Sequence, residues 1–249
     1  MTRLIFALAL ALVSCTATPV TVVTATPRPT TTPTLFVTTT APTTSPSTVA
    51  PAFRYVAIGA SDTVGVGASD PRAGSWPARV AARLAAGTDY VNLGVSGSLA
   101  AQAAREQLPT ALGLQPQLVT IWLAVNDLNA SVSPSDYAIA LRSVIEPLVS
   151  RSGTRIFVGT VPDLRSVPAY AGTDPAALLA RITAYNTAIA AIAASFSGRV
   201  VAVDLFTGSG PLVSTITVSA DGFHPSDAGY ALIADRFAKA IADAGIALR

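Results

Sequence analysis

The feature that most restricts the fold is the alternation of short β-rich runs with long alanine-rich stretches between Phe53 and Arg249. Arg54-Tyr55-Val56-Ala57-Ile58 reads as a strand ending at Gly59, Tyr90 to Leu93 as a second, and Val119-Thr120-Ile121-Trp122-Leu123 as a third. Ile156 to Gly159 and Val200 to Val203 supply two more. Between them the pattern predicts helices over about 75–86, with Ser75 as N-cap and Pro77 in the first turn, and over about 98–108, 135–149, 175–194 and 226–244. The third run is nearly all apolar, as it must be when helices cover both faces of a sheet. Strands alternating with helices predict an α/β domain with a parallel sheet of about five strands.

Ahead of this domain the chain changes character twice. Arg3 is followed by an unbroken apolar run from Leu4 to Val13. That run is too short for a bilayer, which takes about 20 residues of helix, and has the length of a signal-peptide core. Leu12-Val13-Ser14-Cys15 resembles the bacterial lipobox, in which the cysteine is lipidated and becomes the first residue. The competing reading is ordinary secretion with an incidental Cys15. From Thr16 to Ala52 threonine and proline dominate, and Arg28 is the only charge. Such a segment buries too little apolar surface to offset its ordering entropy, so an extended stalk is expected, reaching on the order of 100 Å if polyproline-like. The expected organisation is a lipoprotein signal peptide at 1–14, a linker with lipidated Cys15 at 15–52, and a folded domain at 53–249. The expected location is secreted and lipid-anchored, on the outer face of a bacterial membrane or envelope, with the membrane engaged only through the N-terminal lipid.

Composition removes several classes of function. The net charge is +2 and the cations are scattered arginines plus one lysine, Lys239. Phosphate backbones demand clustered cations, so no nucleic-acid partner is expected. Cys15 is the only cysteine and His224 the only histidine, which excludes internal disulfides and multi-histidine metal sites. No cofactor or metal is expected, and any imidazole chemistry must use His224.

Four short segments carry the chemistry. Gly59-Ala60-Ser61-Asp62-Thr63-Val64-Gly65 follows the first strand, and Asn92-Leu93-Gly94-Val95-Ser96-Gly97 the second. Ala124-Val125-Asn126-Asp127 follows the third, and Asp221-Gly222-Phe223-His224-Pro225 precedes the last helix. Singly, each reads as an ordinary turn or helix start. Together, in this order and at strand ends, they resemble the motifs of the SGNH/GDSL hydrolase superfamily. The resemblance implies a three-layer αβα sandwich of flavodoxin-like type with strand order 2-1-3-4-5, which would bring the loops after the first three strands together at the switch point.

The resemblance also implies roles. Ser61 would be the nucleophile, His224 its base and Asp221 the group that orients the imidazole. The backbone N–H groups of Ser61 and Gly97 and the side-chain amide of Asn126 would form the oxyanion hole. The expected activity is hydrolysis of carboxylic esters, small-molecule or glycan-borne, by a monomer. An acyltransferase with the same triad and a non-catalytic binding lipoprotein are the alternatives. The chain departs from the family pattern at Ala60 and Asp62, which stand where Gly-Asp-Ser-Leu has aspartate and leucine, and at Ala124 and Val125, which replace glycines. Trp76, Trp122, Tyr185 and Asn186 read as packing and helix-support residues. The segment from Asp163 to Asp174, with Arg165 and Tyr170, is long enough to border a pocket. No insertion suggests a lid or a deep tunnel, so short acyl groups are expected.

Overall fold

The computed structural model describes residues 53–151, 153–196 and 198–249. The segments expected as signal peptide and linker, with Cys15, lie outside the described residues.

Five parallel strands form one sheet: β1 (Arg54–Gly59), β2 (Asp89–Asn92), β3 (Leu118–Trp122), β4 (Arg155–Gly159) and β5 (Val200–Val203), in the order β2-β1-β3-β4-β5. The period-two rule sorts their side chains. Val56, Ile58, Val119, Ile121, Ile156 and Val158 face one core, while Tyr55, Ala57, Leu118, Trp122 and Phe157 face the other. Thr120 is the polar exception on β3, and its hydroxyl is satisfied by the Tyr55 hydroxyl at 2.8 Å. The edge strands β2 and β5 are only partly buried, whereas β3 is buried throughout.

The first core is covered by α4 (Ala100–Glu106), α5 (Leu108–Leu114), α6 (Ala124–Asn129), α7 (Pro134–Val149) and α8 (Pro175–Ser195). The second is covered by α3 (Trp76–Ala81) and α9 (Asp227–Asp243), which pack on each other. Trp76, fully buried, stacks on Phe237 of α9 with ring centroids 4.2 Å apart. Two one-turn helices, α1 (Ser61–Val64) and α2 (Pro71–Gly74), lie between β1 and α3.

Three helices differ from the sequence expectation. The helix expected over 75–86 stops at Ala81, because the chain tightens into turns at Arg83 and Leu84 and Leu84 pairs with Leu248 in an isolated bridge. The helix expected over 98–108 is two helices broken at Gln107, with Pro109 in the first turn of the second, where its missing N–H costs nothing. Residues 124–129, expected as a loop, form α6.

Candidate active site

β1 delivers Ser61. A Cβ at Gly59 would stand 2.0 Å from the Thr63 hydroxyl and 2.8 Å from the Trp122 carbonyl, so only glycine lets the strand turn there. Ala60 is the N-cap and Ser61 the first residue of α1, where a helical N–H has no acceptor within its own helix. Ser61 is 7% exposed.

The His224 ring comes from the segment between β5 and α9. Val218 and Pro225 form a bridge, and the Ser219 N–H donates to the His224 carbonyl at 2.8 Å, closing a tight loop. Inside it, Asp221 Oδ1 accepts from the Ser219 hydroxyl and from the N–H groups of Phe223 and His224, at 2.7, 2.9 and 2.9 Å. Asp221 Oδ2 lies 2.6 Å from His224 Nδ1, and His224 Nε2 lies 2.9 Å from Ser61 Oγ. Partial burial pushes the Asp221 carboxyl up. The hydrogen bonds from His224, the Phe223 N–H and Ser219 outweigh it and hold the group well below the usual carboxylate range. It is therefore ionised at neutral pH. Phe223 packs edge-on against the His224 ring at 4.8 Å, and Tyr170 packs on Phe223 in turn.

The remaining two groups are tied indirectly, through Ser98. Asn126 sits in the first turn of α6, on a helix rather than the expected loop, and its Nδ2 donates to the Ser98 carbonyl at 3.2 Å. Gly97, the residue before, has φ +79, and an added Cβ there would touch nothing. Glycine is required at 97 by backbone conformation rather than by crowding. Two residues that sequence reasoning passed over fix this corner. Gln107 accepts from the Gly59 N–H at 3.0 Å and donates to the Gly59 carbonyl and the Ser98 hydroxyl at 2.9 and 3.1 Å. Asp127, 1% exposed, accepts from the Ala100 N–H at the start of α4, and burial pushes its carboxyl up to about 6. A lone glutamine between two helical runs carries no sequence signal. The Asn-Asp pair was visible but read as a loop start.

A cavity of about 120 Å³ opens beside these residues. Asp62 and Val125, neighbours of Ser61 and Asn126, form part of its wall, as do Phe223 and Pro225 on either side of His224. Trp122, expected to serve packing alone, also lines it while its indole N–H donates to the Thr160 carbonyl. Asp163, Leu164 and Val167 supply another wall, so the segment 163–174 borders the pocket, with Arg165 turned back onto Asp163 in an ion pair at 2.7 Å. Six residues between Leu205 and Val218, for which the sequence suggested no role, supply a further wall, and Gly229, Leu232, Ile233 and Arg236 of α9 close it. Trp76, Tyr185 and Asn186 stay structural. Asn186 holds both the N–H and the carbonyl of Val161, which anchors that wall.

A serine at the end of β1, joined to an imidazole and a carboxylate on an open 2-1-3-4-5 sheet, defines the SGNH class of serine hydrolases. The chain belongs to the GDSL-like lipase/acylhydrolase family, whose model matches residues 57–232, and it is an ester hydrolase. No curated protein sequence matches it. Solved structures share the fold. TesA is 23% identical with a TM-score of 0.60, over 77% of this chain and 99% of that one. A family 3 carbohydrate esterase from Clostridium thermocellum is 22% identical with a TM-score of 0.60, over 77% of this chain and 96% of that one. A catalytic mutant of Axe2, an acetylxylan esterase from Geobacillus stearothermophilus, is 20% identical with a TM-score of 0.62, over 76% and 94%.

Proposed function

We propose that Ser61 attacks the carbonyl carbon of short-chain carboxylic esters, with His224 as base and Asp221 as its orienting partner. The observation that carries this is the continuous path from Ser61 Oγ to His224 Nε2 at 2.9 Å and from His224 Nδ1 to Asp221 at 2.6 Å. In this reading Nδ1 carries the proton donated to Asp221, which leaves Nε2 free to accept the Ser61 hydroxyl proton. The new C–O bond places negative charge on the former carbonyl oxygen. The N–H groups of Ser61 and Gly97 and the second Asn126 Nδ2 hydrogen receive it, and each such donor is worth ~3 kcal/mol at the transition state. His224 returns the proton to the departing alcohol, and water repeats the sequence to free the acid. A cavity of about 120 Å³ is well below the ~300–1,000 Å³ of pockets for drug-sized ligands, which supports acyl groups of about two to four carbons.

Ser61→Ala and His224→Ala should each remove nearly all hydrolysis of aryl esters with unchanged circular dichroism, and Asp221→Asn should lower kcat by up to ~10⁴-fold. Wild-type rates in Ser61→Ala would reject the nucleophile. Across an acyl series kcat/KM should peak from acetyl to butyryl, and a maximum at twelve carbons would reject the short-chain assignment.

We further propose that the domain is carried on the outer face of a bacterial membrane by lipid on Cys15, through the Thr/Pro-rich linker. Support comes from the apolar run and the Leu12–Cys15 motif. An intact-mass spectrum of full-length chain without a lipid adduct, or one whose adduct survives Cys15→Ser, would reject the anchor.

A further inference from the structure

The cavity beside Ser61 is walled mainly by apolar side chains, and the polar ones are informative by what they already hold. Asp163 is committed to Arg165. Arg236 donates through both terminal nitrogens to the carbonyls of Asp204 and Thr207. The Ser209 hydroxyl accepts from the Asp163 N–H and donates to the Phe206 carbonyl, and the Thr217 hydroxyl donates to the Leu212 carbonyl. Asp62 is the exception. Among the described residues its carboxylate accepts no hydrogen bond from another side chain or another residue's N–H and forms no ion pair. It lines the cavity next to Trp122 and Val125, and its burial pushes the carboxyl up to about 6.

A half-buried carboxylate that gives up part of its water and meets only its own N–H and the neighbouring His224 keeps acceptor capacity that no other residue uses. Ala60 at the N-cap makes no side-chain cap, and Asp62 is the acid in the first turn of α1, where its carboxylate meets only its own N–H. An apolar side chain at 62 would complete the wall. The acid is close enough to His224 for the two charges to interact, so a group that reaches it from the cavity lies beside the ester being cleaved.

We propose that Asp62 selects the substrate by accepting a hydrogen bond from a hydroxyl or ammonium group carried on the short acyl or alcohol part of the ester. The inference rests on Ser61 being the nucleophile and deepens that reading by naming a substrate class, donor-bearing short esters. An ionised carboxylate accepts only, so it favours donors and repels substrates with carboxylate or phosphate groups in the same place. The apolar walls enlarge the discrimination, because a plain alkyl ester leaves the carboxylate buried and unsatisfied.

The test uses the full chain and two ester series. One is aryl butyrate beside its 3-hydroxy and 4-dimethylamino counterparts. The other is the acetates of propanol, propane-1,3-diol and 3-dimethylaminopropanol. The readout is the ratio of kcat/KM for a donor-bearing ester to that for its plain parent within one protein, which a general loss of fold leaves unmoved. The wild type should favour a donor-bearing ester by at least about tenfold in one series. Asp62→Leu should bring that ratio to about one. Asp62→Asn should keep a preference for hydroxyl and lose one for ammonium, because its carbonyl still accepts but carries no charge. A wild-type ratio near one in both series, or a ratio unchanged in Asp62→Leu and Asp62→Asn, overturns the inference. Ser61→Ala run beside them separates the two failures, since hydrolysis surviving there condemns the nucleophile instead.

Discussion

At the scale of single residues, the site is held by acids in opposite electrostatic situations. Asp221 is wrapped in donors and stays ionised, whereas Asp127 is buried with the Ala100 N–H as its acceptance partner and sits raised to about 6. The consequence for stability has a definite sign. Between about pH 4, where the unfolded chain's carboxyl ionises, and about 6, the folded state holds a proton that the unfolded state has released. The contribution of Asp127 to stability therefore falls as pH rises through that window and stays low above it. Asp127→Asn removes the titration while keeping an acceptor for Ala100. It should be more stable than the parent at pH 7.5, by up to about 3 kcal/mol, and should lose that advantage at pH 4. Urea denaturation at the two pH values checks it, and an advantage equal at both would refute the assignment.

At the scale of elements, Gln107 matters because it ends one helix and ties two strand ends together. Its side chain satisfies both backbone groups of Gly59 and touches the Ser98 hydroxyl, so it links the turn bearing Ser61 to the turn bearing Gly97. Gln107→Leu keeps the volume and leaves the Gly59 N–H unpaired in the interior, while the Gly59 carbonyl keeps only the Val95 N–H at 3.1 Å. It should cost about 1–3 kcal/mol of stability, and kcat should fall while KM changes little. Thermal unfolding and kinetics on one ester read both effects, and unchanged stability would show that water replaces the amide. The same helix break marks the limit of what the sequence discloses. All five strands and their order through family resemblance were legible, as were the candidates Ser61, Asp221 and His224 that the structure brings into contact, because strands announce themselves by apolar runs and the motifs stand at strand ends. The break at Gln107 and the six-residue α6 were not, since both depend on side-chain contacts between segments far apart in the chain. The pocket wall from 205 to 218 was invisible for the same reason: an irregular segment has no period to read.

At the scale of the whole molecule, the two halves of the Ser61–His224 contact are 163 residues apart, and His224 lies just ahead of α9, the last helix. That helix is seated by Phe237 against Trp76 and by Arg79 facing Asp227 at 3.5 Å. Long-range closure of this kind is slow relative to local helix formation. A chain that has built its sheet but not docked α9 is therefore expected to hold a serine without a base. Refolding from urea should recover ester hydrolysis together with the fluorescence change of Trp76, read in a Trp122→Phe background, and never ahead of it. Hydrolysis that returned first would mean that the imidazole finds the serine without the helix behind it. If it does not, a nascent or partly unfolded copy leaves the esters it meets uncut.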